Sequence, residues 1–169
     1  EETGNIYRPV EIAKTTLSEE MLMSNMVSHL KNNDMLQAIF FSFSKKNCEK
    51  YADMAAKTNN LLSPEEMGKS NGIFMRYLNK YDEKYMSIEQ YSKVKKLLER
   101  GIAYHHAGLI SVLREIIEIL FKENLVKLLY ATETFAVGIN VAVRTVVFTE
   151  ITKMDNQGSQ EEGRLLEKF

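Results

Sequence analysis

From Ser18 onward the chain alternates between helical stripes and short apolar runs. "SEEMLMSNMVSHLKN" sets Met23, Met26, Val27 and Leu30 along one face at helical spacing. "MLQAIFFSF" is almost continuously apolar, the pattern of a strand covered on both faces. Ser44 is placed to cap the next helix, in which Cys48, Tyr51, Ala52 and Ala55 recur at spacings of three and four. A long polar-helical region runs from Pro64 to Arg100, with Tyr77, Tyr81 and Tyr85 spaced by four. Gly101 closes its last helix after Leu97 and Leu98. "IAYHH" predicts a short strand. The helix expected over 110–122 buries Leu113, Ile116, Ile117, Leu120 and Phe121, and "LVKLLYA" and "RTVVF" predict two further buried strands.

Strand, helix, strand, helix, strand is the alternation that produces a parallel sheet. The predicted fold is therefore α/β, a parallel sheet with helices on both faces in a single domain. That domain spans 18–155. Residues 1–17 show no sustained period and read as a surface segment or linker, and 156–169 as a polar loop.

A length of 169 residues suits one domain with a substantial core. The net charge of −1 excludes a broadly basic surface, so any nucleic-acid contact must be local. One cysteine, Cys48, rules out an intrachain disulfide and suits a reducing compartment. No apolar run approaches the roughly 20 residues that cross a bilayer. The opening "EETGNIYRPVEIAK" has no apolar signal core, which predicts an intracellular protein. It also lacks an initiator Met and reads as the start of a piece of something longer.

Gly68-Lys69-Ser70 in "SPEEMGKSNG" matches the last three letters of a phosphate-cradling loop. The full pattern needs a glycine where Ser63 stands, and a buried strand running into the loop. Ser63-Pro64-Glu65-Glu66 instead predicts a helix start, with Ser as N-cap, Pro at the first position and Glu at the third. A nucleotide kinase using Lys69 is the rival reading, and it requires ATP affinity that Lys69→Ala abolishes.

Ligands of open parallel sheets meet the loops at the strands' carboxyl ends. Three such loops carry unusual chemistry. Ser44, Lys45 and Lys46 open a helix, whose free N–H groups attract phosphate. In "HHAGL", adjacent histidines on a strand point to opposite faces, which disfavours a metal site with the distant His29. The plainest expectation there is one buried and one exposed histidine, with Gly108 permitting close backbone approach to a ligand. In "ATETFAVGIN", Thr132 and Thr134 offer hydroxyls, Gly138 a close approach and Asn140 an amide that both donates and accepts.

These stretches, "AIFFSFSKKNCEKYA", "RGIAYHHAGLISVLREIIEILFKENLVKLLYATETFAVGIN" and "RTVVFTEITKMD", together resemble the second RecA-like lobe of superkiller-type DExH helicases of superfamily two. The resemblance covers about residues 18–155. It implies an ATP-dependent RNA helicase serving the exosome. Ser44 and Lys45 would hold the nucleic-acid backbone in motif IV, and His106, Ala107 and Gly108 would meet a phosphate. Thr132, Glu133 and Thr134 would lie on the same strand-binding face in motif V. Gly138 and Asn140 would face the inter-lobe cleft near the nucleotide. ATP with Mg2+ would be held mainly by a first lobe, so no residue here is expected to be catalytic. The implied partners are single-stranded RNA, with DNA not excluded, the first lobe, and the exosome or its adaptors, but no membrane.

Two features depart from the family pattern. Its Pro is replaced in "NVAVRT", and its Arg-rich motif VI is expected after "RLLEKF", beyond the last residue. The resemblance therefore predicts an inactive fragment and a sheet short of an edge strand. The alternative function is a non-catalytic relic that keeps the fold for binding nucleic acid or protein.

Overall fold

The computed structural model describes residues 18–80, 88–132 and 143–149, and the backbone of 152–154 and 160–162. Four apolar runs form one parallel sheet: β1 (Ala38–Phe41), β2 (Ile102–His105), β3 (Leu128–Ala131) and β4 (Thr145–Phe148), in the order β2-β3-β1-β4. The single α/β domain with a parallel sheet agrees with the pattern of the sequence. Among the described residues five helices surround it: α1 (Glu19–Asn32), α2 (Lys45–Thr58), α3 (Pro64–Leu78), α4 (Glu89–Leu98) and α5 (Ser111–Lys122).

Two adjacent side chains show that the sheet is covered on both faces. His105 bonds Glu118 of α5, while His106 bonds Glu49 of α2. Successive strand residues point to opposite faces, so α5 and α2 lie on opposite sides. Accordingly, every residue of β2 and β3 is buried. On the α2 side, Tyr130 packs against Phe40 and Tyr51, and its hydroxyl reaches the Met23 sulfur of α1. On the other side α5 buries Val112, Leu113, Ile116, Ile117, Leu120 and Phe121. Each such side chain contributes about 1.5–3 kcal/mol through area removed from water.

Local chemistry ends the elements where the pattern predicts. Ser18, Ser44 and Ser63 accept backbone N–H bonds at the starts of α1, α2 and α3. Within the apolar run before β1, Gln37 is buried, and its amide donates to the carbonyls of Phe121 and Val126. It therefore supplies donors to carbonyls at the end of α5 and in the turn before β3.

Two expectations need correction. Among the described residues β4 is an edge strand paired with β1, and it is not a covered one: Val146 and Phe148, on one face, are exposed. The stretch expected as a polar loop also contains a strand, β6 (Gln160–Glu162), paired antiparallel with β5 (Thr152–Met154). The polar composition that suggested a loop equally suits a short two-stranded ribbon. Residues 1–17, and Tyr81 and Tyr85, lie outside the described residues.

Candidate nucleic-acid interface at the strand carboxyl ends

The sheet register brings the loops of interest together. His105, Ala131, Phe41 and Phe148 stand side by side at the carboxyl ends of β2, β3, β1 and β4. Backbone bonds carry the alignment one residue further: Thr132 N–H donates to His105 O (3.2 Å), Ser42 N–H to Ala131 O (3.0 Å) and Thr149 N–H to Phe41 O (3.0 Å). With neighbouring strands about 4.8 Å apart, the loops after β2 and β1 emerge roughly 10 Å from each other.

After β1, the Ser42 hydroxyl accepts from Ser44 N–H, and the Ser44 hydroxyl accepts from Asn47 N–H. These bonds end the strand and start α2 within three residues. Lys45 and Lys46 are exposed in the first turn, which holds no acidic residue. α1 and α3 each carry two glutamates in their first turns. The positive end of α2 is therefore left uncompensated at this edge.

After β2, the backbone turns through 106–110 into α5. Both histidines are buried, His105 at 6% and His106 at 2% exposure, which corrects the expectation of one exposed ring. Helices cover both faces of β2, and each supplies a carboxylate partner: Glu118 Oε1 at 2.9 Å from His105 Nε2, and Glu49 Oε1 at 2.8 Å from His106 Nε2. Burial depresses the His105 pKa, and the Glu118 carboxylate pulls against it. His106 Nδ1 accepts from Gly108 N–H (3.0 Å), so the Nε2 proton is the one directed to Glu49. The ring stacks on Tyr104, whose hydroxyl is pushed far up by burial with Glu49 and Asp53 nearby.

The close approach at Gly108 is made by this ring. A Cβ there would stand 3.0 Å from His106 Nδ1 and Cε1. The same position lies 3.9 Å from Lys45 Cδ, so the turn and the start of α2 form one surface. Ala107 and Gly108 are the exposed apex.

Sequence reasoning missed Gln90 and Glu49. Gln90, on α4, donates to Gly108 O (3.2 Å) and accepts from Ile110 N–H (2.9 Å). Glu49 lies far from His106 in sequence. No local spacing signals either contact.

Thr132 extends β3 and is buried at 7% exposure. Glu133, Thr134, Gly138 and Asn140 lie outside the described residues. Gly68, Lys69 and Ser70 sit inside α3 behind a full capping box between Ser63 and Glu66, so they form no phosphate-cradling loop. Lys69 pairs with Glu65 one turn away (3.1 Å) and borders a cleft of about 540 Å³ with Glu66, Arg76 and Glu123. That cleft adjoins the amino end of β3, opposite the aligned loops. Among the described residues no group of three His, Cys, Asp or Glu side chains could hold a metal, and no helix is long and apolar enough to cross a membrane.

A parallel α/β sheet of this kind presents its polar, lysine-bearing carboxyl edge to ligands. The family model of the helicase conserved C-terminal domain matches residues 56–166, and the chain belongs to that family as a C-terminal lobe of the superkiller type. It is 39% identical over 136 residues to the antiviral helicase SKI2 of Saccharomyces cerevisiae, covering 80% of this chain and 10% of that protein. It is 41% identical over 132 residues to the exosome RNA helicase MTR4 of Homo sapiens, covering 78% and 13%. The DExH-box ATP-dependent RNA helicase DExH9 of Arabidopsis thaliana is 38% identical over 154 residues, covering 91% and 15%. The chain thus spans between a tenth and a sixth of the length of these relatives.

Proposed function

We propose that this lobe grips the backbone of single-stranded RNA along the strand carboxyl ends and closes on ATP–Mg2+ held mainly by a first RecA-like lobe. Closure and reopening then shift one grip against the other along the strand. The observation that carries this reading is the alignment of three loop starts on one edge: Ser44–Lys45, Ala107–Gly108 and Thr132. The α2 N-terminus and its lysines supply positive charge there, and the exposed 107–108 turn supplies backbone. His106, turned inward, acts on RNA through the turn it braces. Glu133 and Thr134 continue the grip, and Gly138 and Asn140 face the nucleotide, as the family resemblance implies.

The relatives named as ATP-dependent and exosome RNA helicases support RNA as the substrate and the exosome or its adaptors as partners. ATP hydrolysis belongs to the two-lobe protein, since Gly68-Lys69-Ser70 is helical and provides no phosphate loop. The test is titration of a labelled single-stranded RNA by fluorescence anisotropy. Lys45→Ala and Thr132→Ala are each expected to weaken binding about three- to tenfold, the size of one or two lost hydrogen bonds or a charge contact. Lys45→Ala also lowers the slope of log affinity against log salt by about one. Unchanged binding in both variants would sink the RNA reading and favour a protein-binding relic. The same titration with DNA of equal sequence reads the contribution of the 2′-hydroxyl.

A further inference from the structure

We propose that Gln90 and Glu49 are positioning residues for the RNA grip, holding the 106–110 turn from two helices that themselves touch no RNA through these side chains. The proposal rests on the RNA-gripping reading of this edge. Three polar groups converge on one turn. The Gln90 amide brackets the peptide between Gly108 and Ile110, donating to Gly108 O (3.2 Å) and accepting from Ile110 N–H (2.9 Å). From the other side, His106 Nδ1 accepts from Gly108 N–H (3.0 Å), and Glu49 holds the far nitrogen of that ring at 2.8 Å. Both backbone groups of Gly108 are therefore engaged by side chains, and the direction of its peptides is set by α2 and α4.

The residue types fit this task. An amide donates and accepts at once from one planar group, so glutamine satisfies two backbone atoms that neither Glu nor Lys could serve together. α5 needs such outside help, because its own N-cap, Ile110, has no side-chain bond to give. Glu49 performs a second selection: a carboxylate against Nε2 keeps the ring proton there, which leaves Nδ1 as the acceptor the turn requires. The exposed apex, Ala107 and Gly108, is then presented beside Lys45 in one conformation. A turn held in its bound shape before the strand arrives loses less freedom on binding.

The same RNA titration, run at several salt concentrations on the whole chain, tests this with Gln90→Met, Glu49→Leu, Glu49→Gln and Lys45→Ala. Gln90→Met and Glu49→Leu are expected to weaken binding about three- to tenfold, with the salt slope of the parent, because no cation–phosphate contact is lost. Glu49→Gln keeps an acceptor for the Nε2 proton and is expected to stay within about twofold of the parent. Proton–nitrogen correlation spectra should show the Gly108 and Ile110 amides moving in Gln90→Met while the Gly101 amide stays in place. Should Gln90→Met not fold, Gln90→Glu carries the test, since it keeps the acceptor for Ile110 N–H and loses the donor to Gly108 O.

Parent-like affinity in Gln90→Met and Glu49→Leu beside a weakened Lys45→Ala overturns the proposal and leaves the RNA reading standing. A lowered salt slope in Gln90→Met also overturns it, because positioning removes no charge contact. Unchanged binding in Lys45→Ala and Thr132→Ala as well removes the RNA reading itself, and the proposal with it.

Discussion

β2 runs between two glycine-containing turns, and different forces hold them. At its amino end Gly101 adopts a left-handed φ of 74°, and a Cβ there would come within 2.9 Å of Leu62 Cγ. Its carbonyl accepts from Lys127 and Leu128 N–H, tying α4, β2 and β3 together. At the carboxyl end Gly108 has no left-handed backbone, and its neighbours are the polar side chains of His106 and Gln90. Apolar packing and backbone conformation determine the first turn, while directional hydrogen bonds from other helices determine the second. Packing of the first kind serves stability. Hydrogen bonds that shape an exposed apex serve the presentation of that apex to a ligand.

The largest effect is expected at the buried end. Gly101→Ala forces an L-residue into the left-handed region and displaces Leu62, which should cost about 2–4 kcal/mol of stability in urea unfolding. RNA affinity of the molecules that remain folded should stay at the parent value. A stable Gly101→Ala protein with weakened RNA binding would erase the distinction between the two turns.

Gly108→Ala should show the reverse balance. The new methyl presses on the His106 ring by a few tenths of an ångström with no backbone strain, at a cost of about 1 kcal/mol. The ring cannot yield without loosening its bonds to Gly108 and Glu49, so RNA affinity should fall by about tenfold, the size of one to two hydrogen bonds. Thermal unfolding and anisotropy on the same sample separate the two quantities. Loss of stability alone would make this turn a structural element like the first.

How legible these turns were differs in the same way. Gly101 could be placed from the sequence, because a helix that ends at Leu98 and a strand that starts at Ile102 leave room only for a tight turn. The start of α3 was equally legible, since Ser63-Pro64-Glu65-Glu66 writes its capping box in consecutive residues. The strand-end rule also located Ser44, the 106–108 turn and Thr132, because it depends on element order alone. The exposure of β4 was not legible: "RTVVF" is as apolar as the central strands, and only the sheet order makes it an edge. Gln90, Glu49 and Gln37 were missed because their partners lie on other elements, and a polar side chain reaching another segment's backbone leaves no period in the sequence.

The smallest effect concerns His105, the histidine on the opposite face from the turn. Its pKa is depressed first by burial, with Arg114 and His106 adding to the depression and Glu118 opposing it. A base whose folded pKa lies below its unfolded value of about 6.5 leaves the unfolded state binding more protons between the two. Stability therefore rises with pH through that window: the contribution is fully present above about 6.5 and is lost as pH falls towards the folded pKa. The carboxylates held low by lysine hydrogen bonds, Glu19 by Lys50 and Glu66 by Lys127, lose their contributions only below the ordinary carboxylate range. Asp53, raised by burial, works in the opposite sense, so the informative quantity is the difference between parent and variant. Melting curves of the parent from pH 7.5 to 5 should shift to lower temperature as pH falls, and His105→Asn should flatten that dependence at some cost in stability at pH 7.5. RNA affinity at constant pH should hardly change, because His105 faces α5, where it bonds Glu118, on the opposite face from the His106 ring that braces the apex. An equally steep pH dependence in His105→Asn would move the titrating group elsewhere. A loss of RNA binding would mean that the two faces of β2 are not independent, and that α5 helps set the turn from beneath.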